Sequence, residues 1–500
     1  MENLLPNNTV SQHSPSVNNP GDRIDGGPPG REDSSPKQLV LLDEQAPTGT
    51  QSHPRSSRED KVEPPARGSV GPPETKGVAM DNLTLISGSP PTVLASPKQL
   101  ESMQVAPLIY PYSMQKPARL EALENVFREW LYIEDEFYLE NLLATYLTIQ
   151  YPGDPYWEMA IGPPGIGKTE GMESLTELPN IYTLSKITPY TLISGFAVTD
   201  KDGSRLDDSD YDLYPQLVDK LVIFKDWSSI DGQGREARKQ IYADFREAFD
   251  GKLEKAYGSR KGKKSCRGTF GLLAGTTPEA DASMRLLNQA LGERFCRFRL
   301  RCEDTAKAVR KARECRGREK QMRQALKASV GACLGQIWQD PPPYADVSDE
   351  ANEQIEALAD LTAILRTSVK RDGQGNVVTS PQAEVGTRLV KQFQKLGHAV
   401  AYLYGHKELG ERELQHIARV ARDTMTDLRL DALKSIQDSM HTTDQISKIM
   451  KIPTQSLHRV LDDLWMLELV EKHDLTLQGK GYGWSVTEAT LNELKKARLL

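Results

Sequence analysis

Eight residues of this chain form a glycine-rich loop whose composition suits the binding of phosphate groups. They fit the pattern G-x-x-x-x-G-K-[ST], in which glycines let successive backbone N–H groups face the α- and β-phosphates of a nucleotide. In this pattern a lysine reaches the β- and γ-phosphate oxygens, and a threonine hydroxyl is a ligand for Mg²⁺. The sequence therefore predicts a site for ATP and Mg²⁺ made of Gly162, Pro163, Pro164, Gly165, Ile166, Gly167, Lys168 and Thr169.

The residues on either side of this loop predict the elements that must hold it. Residues 156–161 form an apolar run that leads into the loop, which is typical of a buried strand. Residues 170–178 contain no proline before Pro179, so they can form the helix that follows. Strand, loop and helix in this order are the context in which a phosphate loop is expected.

Two more apolar runs predict strands of the same sheet. Residues 220–224 are followed by Asp226, as expected for a buried parallel strand that ends in a carboxylate on the magnesium side. Residues 269–274 are followed by Thr276 and Thr277, and ligands of open α/β sheets bind at the carboxyl ends of strands. We expect one of these threonines, Thr277 in our assignment, to sense the γ-phosphate; an ordinary polar residue at a strand end is the alternative.

The first hundred residues differ in composition from the rest. Residues 1–104 are rich in proline, serine, glycine and asparagine and nearly lack aromatic side chains, which predicts a disordered tail. The pentapeptide Ser-Pro-Lys-Gln-Leu occurs at residues 35–39 and again at 96–100. It is either a duplicated docking motif for a protein partner or a chance recurrence in a biased segment.

Charge and cysteine content limit the classes of function. The net charge of −7 gives the chain no bulk attraction for nucleic acid, so any such contact must come from a local patch. The five cysteines form no C-x-x-C pair, which predicts reduced thiols and a cytoplasmic location. No apolar run reaches about eighteen residues, so we expect no membrane association through a spanning helix.

Residues 291–300 form an arginine-rich segment that leads into a last alternating strand. With the loop and the preceding strands, this arrangement resembles the AAA+ ATPases. The resemblance implies an α/β core over residues 105–302, with a parallel sheet flanked by helices. It also implies that Arg294 is an arginine finger that reaches a neighbour's nucleotide in a ring of identical subunits, a hexamer. The alternative is a surface ion pair between Arg294 and Glu293.

Beyond the AAA+ core, the chain resembles the minichromosome-maintenance helicases and related ATPases of mobile elements and phages. Residues 194–206 contain a D-G turn where those helicases carry a hairpin insert. Residues 251–267 contain seven cations and one anion, at the position of a hairpin that projects into the ring channel of those helicases. The resemblance implies contact with DNA, and a solvated charged loop is the alternative. The candidate DNA contacts are Lys255, Arg260, Lys261, Lys263 and Lys264.

The chain departs from that family at the magnesium strand. The helicases end this strand with adjacent Asp and Glu, whereas Lys225, Asp226 and Trp227 stand here. Only one carboxylate remains, and Asp226 can align with either role, so either the metal position or the water-activating position is filled by a different residue, which favours slow hydrolysis. Glu170 and Asp231 are the nearest carboxylates in sequence that could replace it.

Residues 303–430 predict an all-helical lid, because they are rich in helix-forming residues with periodic apolar positions. Lids of this kind occur in the AAA+ family. Arg388 resembles the sensor arginine that reports the γ-phosphate to the lid, and a surface arginine is an equal alternative.

Residues 431–500 predict a winged helix with three helices and a hairpin turned by glycines. In DNA-binding examples of this fold, Arg459 would lie on the recognition helix and Lys480 on the wing. The segment has a net charge of −1, and Asp462 and Asp463 on the same helix would repel phosphate. Docking of a protein partner is therefore a competing interpretation.

These features support two main hypotheses. The first is an ATP-driven ring that moves on DNA, as a helicase or translocase in the replication of a mobile element or phage. The second is an ATP-switched adaptor or helicase loader with slow hydrolysis. A protein remodeller ranks behind both, because the sequence has no recognisable aromatic pore motif.

Overall fold

The computed structural model describes residues 116–194, 212–257, 262–288, 293–479 and 481–500. The predicted disordered tail and most of the predicted hairpin insert lie outside the described residues. So do three candidate DNA contacts, Arg260, Lys261 and Lys480.

A parallel sheet of five strands forms the centre of the described core, in the order β2-β3-β6-β1-β7. A separate antiparallel hairpin joins β4 to β5. The strands are β1 (Trp157–Ile161), β2 (Ile181–Leu184), β3 (Leu221–Phe224), β4 (Lys252–Tyr257), β5 (Gly262–Arg267), β6 (Gly271–Thr276) and β7 (Cys296–Arg299). The three strands predicted around the loop and its carboxyl edge are thus confirmed as β1, β3 and β6, with bounds that differ by one or two residues.

Helices cover both faces of this sheet. Those before β7 are α1 (Ala118–Trp130), α2 (Tyr138–Leu147), α3 (Lys168–Ser174), α4 (Leu213–Leu217), α5 (Ser228–Asp231), α6 (Arg235–Phe249) and α7 (Pro278–Asn288). Those after β7 are α8 (Thr305–Glu314), α9 (Glu319–Gly335), α10 (Asp349–Leu365), α11 (Thr387–Tyr404) and α12 (Glu411–Thr424). The predicted α/β class is confirmed.

Alternation along β1 assigns its side chains to two separate apolar clusters. Trp157 and Met159 pack in one cluster with α6 and with aromatic side chains such as Phe270. Ala160, and Tyr156 just before β1, pack in the other cluster with α1, α2 and the helices after β7. A strand that is buried on both faces is predominantly apolar, and the one charged side chain of β1, Glu158, is buried with hydrogen-bond partners. The helices predicted as a lid therefore share one apolar cluster with the sheet.

Side-chain caps fix the starts of several helices. Ser348 accepts a hydrogen bond from the backbone N–H of Ala351 at 3.2 Å and begins α10. Gly405 has a φ of 79°, in the left-handed region that favours glycine, and ends α11. These local signals can be read from the sequence, and they set the helix lengths.

The outer edge of β7 is covered by side chains rather than by another strand. The Thr424 hydroxyl accepts a hydrogen bond from the backbone N–H of Arg297 at 2.8 Å, and the Asp423 carboxylate accepts one from that of Arg299, also at 2.8 Å. Asp423 also accepts a hydrogen bond from Arg419 Nε at 2.9 Å. Side chains at the end of α12 thus take the place of a neighbouring strand and accept the hydrogen bonds of backbone N–H groups that β7 would otherwise leave unpaired.

The C-terminal residues form a smaller unit of helices around a three-stranded antiparallel sheet in the order β8-β10-β9. Its helix α13 begins at Asp427 and ends at Ser435, whereas the sequence predicted a helix over 431–440; Ile436, next after α13, is buried. The elements are α13 (Asp427–Ser435), β8 (His441–Thr442), α14 (Thr443–Met450), α15 (Thr454–Met466), β9 (Val470–Asp474), β10 (Tyr482–Val486) and α16 (Glu488–Lys496).

Within the described ranges, no helix combines the length and apolar character needed to cross a membrane.

We predict that Asp423→Ala lowers the free energy of unfolding by about 3 kcal/mol, because it leaves buried Arg419 and the N–H of Arg299 without this carboxylate. Asp427→Ala is the matched control: its carboxylate is 58% exposed and lies 3.8 Å from Arg299 Nε, so its loss should cost less than about 1 kcal/mol. Urea unfolding of both variants measures the difference. Equal costs would contradict a special role for the covered edge.

Candidate functional site

The glycine-rich loop directly follows the carboxyl end of β1 and leads into α3. Gly165 and Gly167 have φ values of 82° and 93°, which only glycine adopts without strain. The Gly162 N–H donates to the Thr276 carbonyl at 3.3 Å and ties the start of the loop to β6. The predicted strand, loop and helix are all present, with the glycines at the positions that need them.

Lys168 folds back across this loop. Its ammonium donates to the carbonyl oxygens of Gly162 and, at 3.0 Å, of Pro163. Partial burial lowers the pKa of Lys168, and the carboxylate of Asp226 acts in the opposite direction. The structure thus brings the loop lysine and the carboxylate after β3 within electrostatic reach of one another.

Asp226 is exposed at the carboxyl end of β3, on the same edge of the sheet as the loop. Its Oδ1 accepts hydrogen bonds from the backbone N–H of Ser228, at 3.1 Å, and from the Ser228 hydroxyl. These bonds fix the orientation of the carboxylate. The described residues contain no cluster of three or more acidic, histidine or cysteine side chains for a metal. A Mg²⁺ ion here would take Thr169 and Asp226 as ligands and complete its shell with phosphate and water oxygens.

The residue after Asp226 faces away from the loop. Trp227 is fully buried, and its indole Nε1 donates to the Tyr242 hydroxyl at 3.2 Å in the aromatic cluster. Its backbone N–H donates to the Gly275 carbonyl at 2.8 Å, which holds this turn against β6. The side chain that follows Asp226 therefore points into the core.

Glu170, one of the two substitutes considered for that carboxylate, is already engaged. Arg323 on α9 donates two hydrogen bonds to it, from Nε at 2.9 Å and from Nη2 at 2.8 Å. This bidentate pair ties α9 to the first turn of α3. The side chain of the other substitute, Asp231, lies outside the described residues.

The two threonines after β6 differ in their contacts. The Thr277 hydroxyl accepts a hydrogen bond from the backbone N–H of Ala280 at 3.3 Å, so it caps α7. Thr276 is buried and pairs in register with Ile161, the last residue before the loop. Both lie on the edge of the sheet that carries the loop, and the capping contact gives Thr277 a structural role.

Tyr138 supports the loop from behind, a contact that the sequence analysis did not predict. Its hydroxyl donates to the Lys168 carbonyl at 3.2 Å, and its ring stacks on Phe298 with centroids 6.4 Å apart. A Cβ added at Gly171 would lie 2.1 Å from that hydroxyl, so α3 can approach α2 only because residue 171 is glycine. A glycine inside the helix after the motif was the one signal for this contact.

Arg294 and Arg388 lie at the amino ends of the strands, whereas the loop lies at their carboxyl ends. Arg294 precedes the amino end of β7, where its guanidinium pairs with Asp250 at 3.3 Å and lies over the Phe249 ring at 5.5 Å. Burial and the nearby charge of Arg388 both lower the pKa of Arg294. Arg388 pairs with Glu384 at 3.4 Å. The structure therefore brings these arginines together but does not bring either to the loop of its own chain.

Two lysines expected to contact DNA anchor the β4–β5 hairpin instead. Lys255 pairs with Asp244, and also donates to the Pro189 carbonyl at 2.6 Å; its side chain is only 10% exposed. Lys264 pairs with Asp212 at 3.1 Å and is 14% exposed. Lys263 pairs with Glu254 at 2.5 Å but remains 58% exposed. Of the described candidates on the hairpin, Lys263 is the one whose side chain is open to solvent.

Behind the loop, a buried polar network joins β1 to α2 and α12. Glu158 accepts hydrogen bonds from the Tyr156 hydroxyl and from Asn141 Nδ2, both at 2.7 Å. The Asn141 Oδ1 in turn lies 3.1 Å from His416 Nε2. Burial raises the pKa of Glu158 to about 7, since the low-dielectric interior disfavours its charged form.

This network predicts a specific pH dependence of stability. Below about pH 4.5 Glu158 is protonated in both folded and unfolded chains, and its stabilising contribution is lost as the pH rises to about 7, by on the order of 3 kcal/mol. Glu158→Gln cannot ionise, so relative to the native chain it should gain stability between pH 5 and pH 8. Urea unfolding at both pH values measures this gain. A native-minus-variant difference that does not change with pH would contradict the assignment.

Comparison with known proteins finds no family model that matches this chain and no significant match among curated proteins. The functional interpretation therefore depends on the geometry of the chain's own residues.

Proposed function

We propose that this chain is an ATPase of the AAA+ type that assembles into a ring and uses ATP hydrolysis to move on DNA, as a helicase or translocase. One observation carries the proposal. The glycine-rich loop, Lys168 and Asp226 share one edge of a parallel sheet, which is the arrangement expected of a nucleotide-phosphate site.

Each of these residues has a role that its chemistry supports. Lys168 would exchange its hydrogen bonds to the loop carbonyls for the β- and γ-phosphate oxygens, because the phosphates are stronger acceptors. Thr169 and Asp226 would hold Mg²⁺, which when bound neutralises charge on the phosphates. Gly165 and Gly167 would direct backbone N–H groups toward the nucleotide.

The position of Arg294 supports assembly. An arginine at the edge opposite the loop cannot act on its own chain's nucleotide, but it can do so on that of a neighbouring subunit in a ring. Arg388 beside it would act on the same neighbour. A permanently cationic fork stabilises the charge that develops in phosphoryl transfer. Hydrolysis would then depend on assembly.

The second candidate function is an ATP-switched adaptor or helicase loader with slow hydrolysis, and the burial of Trp227 favours it. The position after Asp226 holds this buried indole in place of a carboxylate, and Glu170, held by Arg323, is not free to act as a second one. Slow turnover suits a switch better than a motor. Separation of a fluorescent duplex in the presence of ATP distinguishes the two, because only the motor performs it.

Contact with DNA is proposed for the exposed side chains that the fold leaves available. On the hairpin these include Lys263; Arg260 and Lys261, which lie outside the described residues, belong to the same proposal. In the C-terminal unit, Arg459 is exposed on α15. Lys255 and Lys264 are better explained as structural ion pairs.

We expect Lys168→Ala to abolish ATP turnover and leave the melting temperature within about 2 °C of that of the native chain, because it removes the cation for the phosphates from a partly exposed site. Lys186→Ala, which removes an exposed lysine elsewhere in the chain, should keep native turnover. Phosphate release measured with and without single-stranded DNA tests both variants. Native turnover in Lys168→Ala would refute the nucleotide site.

Mixing subunits tests whether Arg294 acts between chains. Rings made of Arg294→Ala and Lys168→Ala subunits together should recover part of the ATP turnover that each variant lacks alone, because some interfaces combine an intact loop with an intact arginine. The control mixes Lys168→Ala with the double variant Lys168→Ala/Arg294→Ala, which should recover none. If mixed rings form, as shown by mass, and no turnover returns, Arg294 does not act in trans.

A further inference from the structure

An aromatic surface lies where α15 meets the β9–β10 hairpin of the C-terminal unit. The ammonium of Lys472 lies 4.2 Å from the ring centroid of Tyr482, 5.1 Å from that of Trp484 and 5.3 Å from that of Trp465. Trp484 is buried, but Trp465 and Tyr482 are 45% and 36% exposed. We call Trp465, Lys472 and Tyr482 the aromatic ledge.

The ledge continues the exposed face of α15. His458 and Trp465 are seven residues apart, so they lie on the same side of the helix, and Gln455, one turn before His458, borders this side at its amino-terminal end. The His458 ring meets the Tyr482 ring edge-on, with centroids 6.2 Å apart. Helix and hairpin therefore form one continuous surface in which aromatic rings alternate with cationic and amide side chains.

The two carboxylates that argued against nucleic acid on this helix are both neutralised. Asp463 points toward the body of the protein, where Arg371 binds one of its oxygens at 2.6 Å and Arg429 the other at 2.9 Å. Asp462 accepts from Lys472 at 2.9 Å, and His458 Nδ1 lies 2.9 Å from its other oxygen. A phosphate chain that follows α15 would thus meet paired carboxylates, with Arg459 exposed on the same helix and Lys451 exposed shortly before its start.

We propose that the aromatic ledge stacks the unpaired bases of single-stranded DNA, so that the C-terminal unit binds single strands or strand junctions in preference to plain duplex. This inference deepens the proposed action on DNA and rests on it. It names unpaired nucleotides as the substrate of this surface, with Trp465 and Tyr482 as the stacking residues.

The choice of single strands follows from the chemistry of the rings. Every base has a π face, but in a duplex both faces are covered by neighbouring bases, so an exposed indole and phenol find no partner there. An unpaired base offers that face, and stacking on an aromatic side chain is independent of sequence. Lys472 holds both rings from one side, which fixes their orientation before any base arrives and lowers the entropic cost of binding.

The test measures the affinity of the full-length chain for a fluorescent oligothymidine and for a blunt duplex of equal length. Trp465→Ala and Tyr482→Ala should each raise the Kd for the single strand at least about fivefold, with a much smaller effect on the duplex. Trp465→Phe and Tyr482→Phe keep a ring and should stay within about twofold of the native Kd. Tyr344→Ala removes a tyrosine that is 56% exposed outside the C-terminal unit and serves as the control.

The salt dependence separates stacking from the loss of charge or fold. Stacking releases no counterions, so Trp465→Ala should shift the plot of log K against log salt without changing its slope, whereas Arg459→Ser should reduce the slope by about 0.7. Binding of the oligothymidine should quench the tryptophan fluorescence of the native chain, and this quenching should be lost in Trp465→Phe.

Two results would overturn the inference. A Kd for the single strand that stays within twofold in Trp465→Ala would assign the ledge to another partner, such as a protein. An equal loss for single strand and duplex would indicate duplex binding. Neither result affects the ATP turnover of the native chain or its loss in Lys168→Ala, so a failure of the ledge is distinguishable from a failure of the proposed function.

Discussion

The covered outer edge of β7 is the constraint on which the rest of the described core depends. Arg297 is almost completely buried there, and it remains so because Asp281 accepts from its Nε at 2.7 Å and Glu293 from its Nη2 at 2.9 Å. Breaking a buried charge pair costs far more than the pair contributes in net stability, so these partners must stay in place together. They fix the side chain of Arg297 in β7, which pairs with β1, and β1 ends in the glycine-rich loop.

The same sheet separates two groups of charged residues. The loop, Lys168 and Asp226 lie at the carboxyl edge, whereas Arg294 and Arg388 lie at the amino edge, joined to the sheet through α11 and the residues before β7. Since all five strands are parallel, every residue that follows a strand is on one side and every residue that precedes one is on the other. This separation makes a proposed site completed by two subunits consistent with the fold.

The sequence predicts β1 and β3 correctly, and with them the places of the glycine-rich segment and of Asp226 directly after these strands, because their signals are local. The apolar runs, the glycines and the carboxylate after a strand need no knowledge of distant residues. The fate of the hairpin lysines is different: Lys255 and Lys264 look like any other members of a basic segment, and their partners Asp244 and Asp212 become visible only in three dimensions. The contact of Tyr138 with the loop could not be predicted for the same reason, because about thirty residues of chain separate Tyr138 from Lys168.

The contact between Gly171 and Tyr138 bears on how such sites are recognised in sequences. The phosphate-loop pattern ends at Thr169, but the packing of α3 requires a residue without a side chain two positions later. That glycine serves the fit between two helices. The informative signature of this site is therefore longer than its motif, and a pattern search that paired the motif with Gly171 and an upstream tyrosine would select chains with the same helix-to-loop packing.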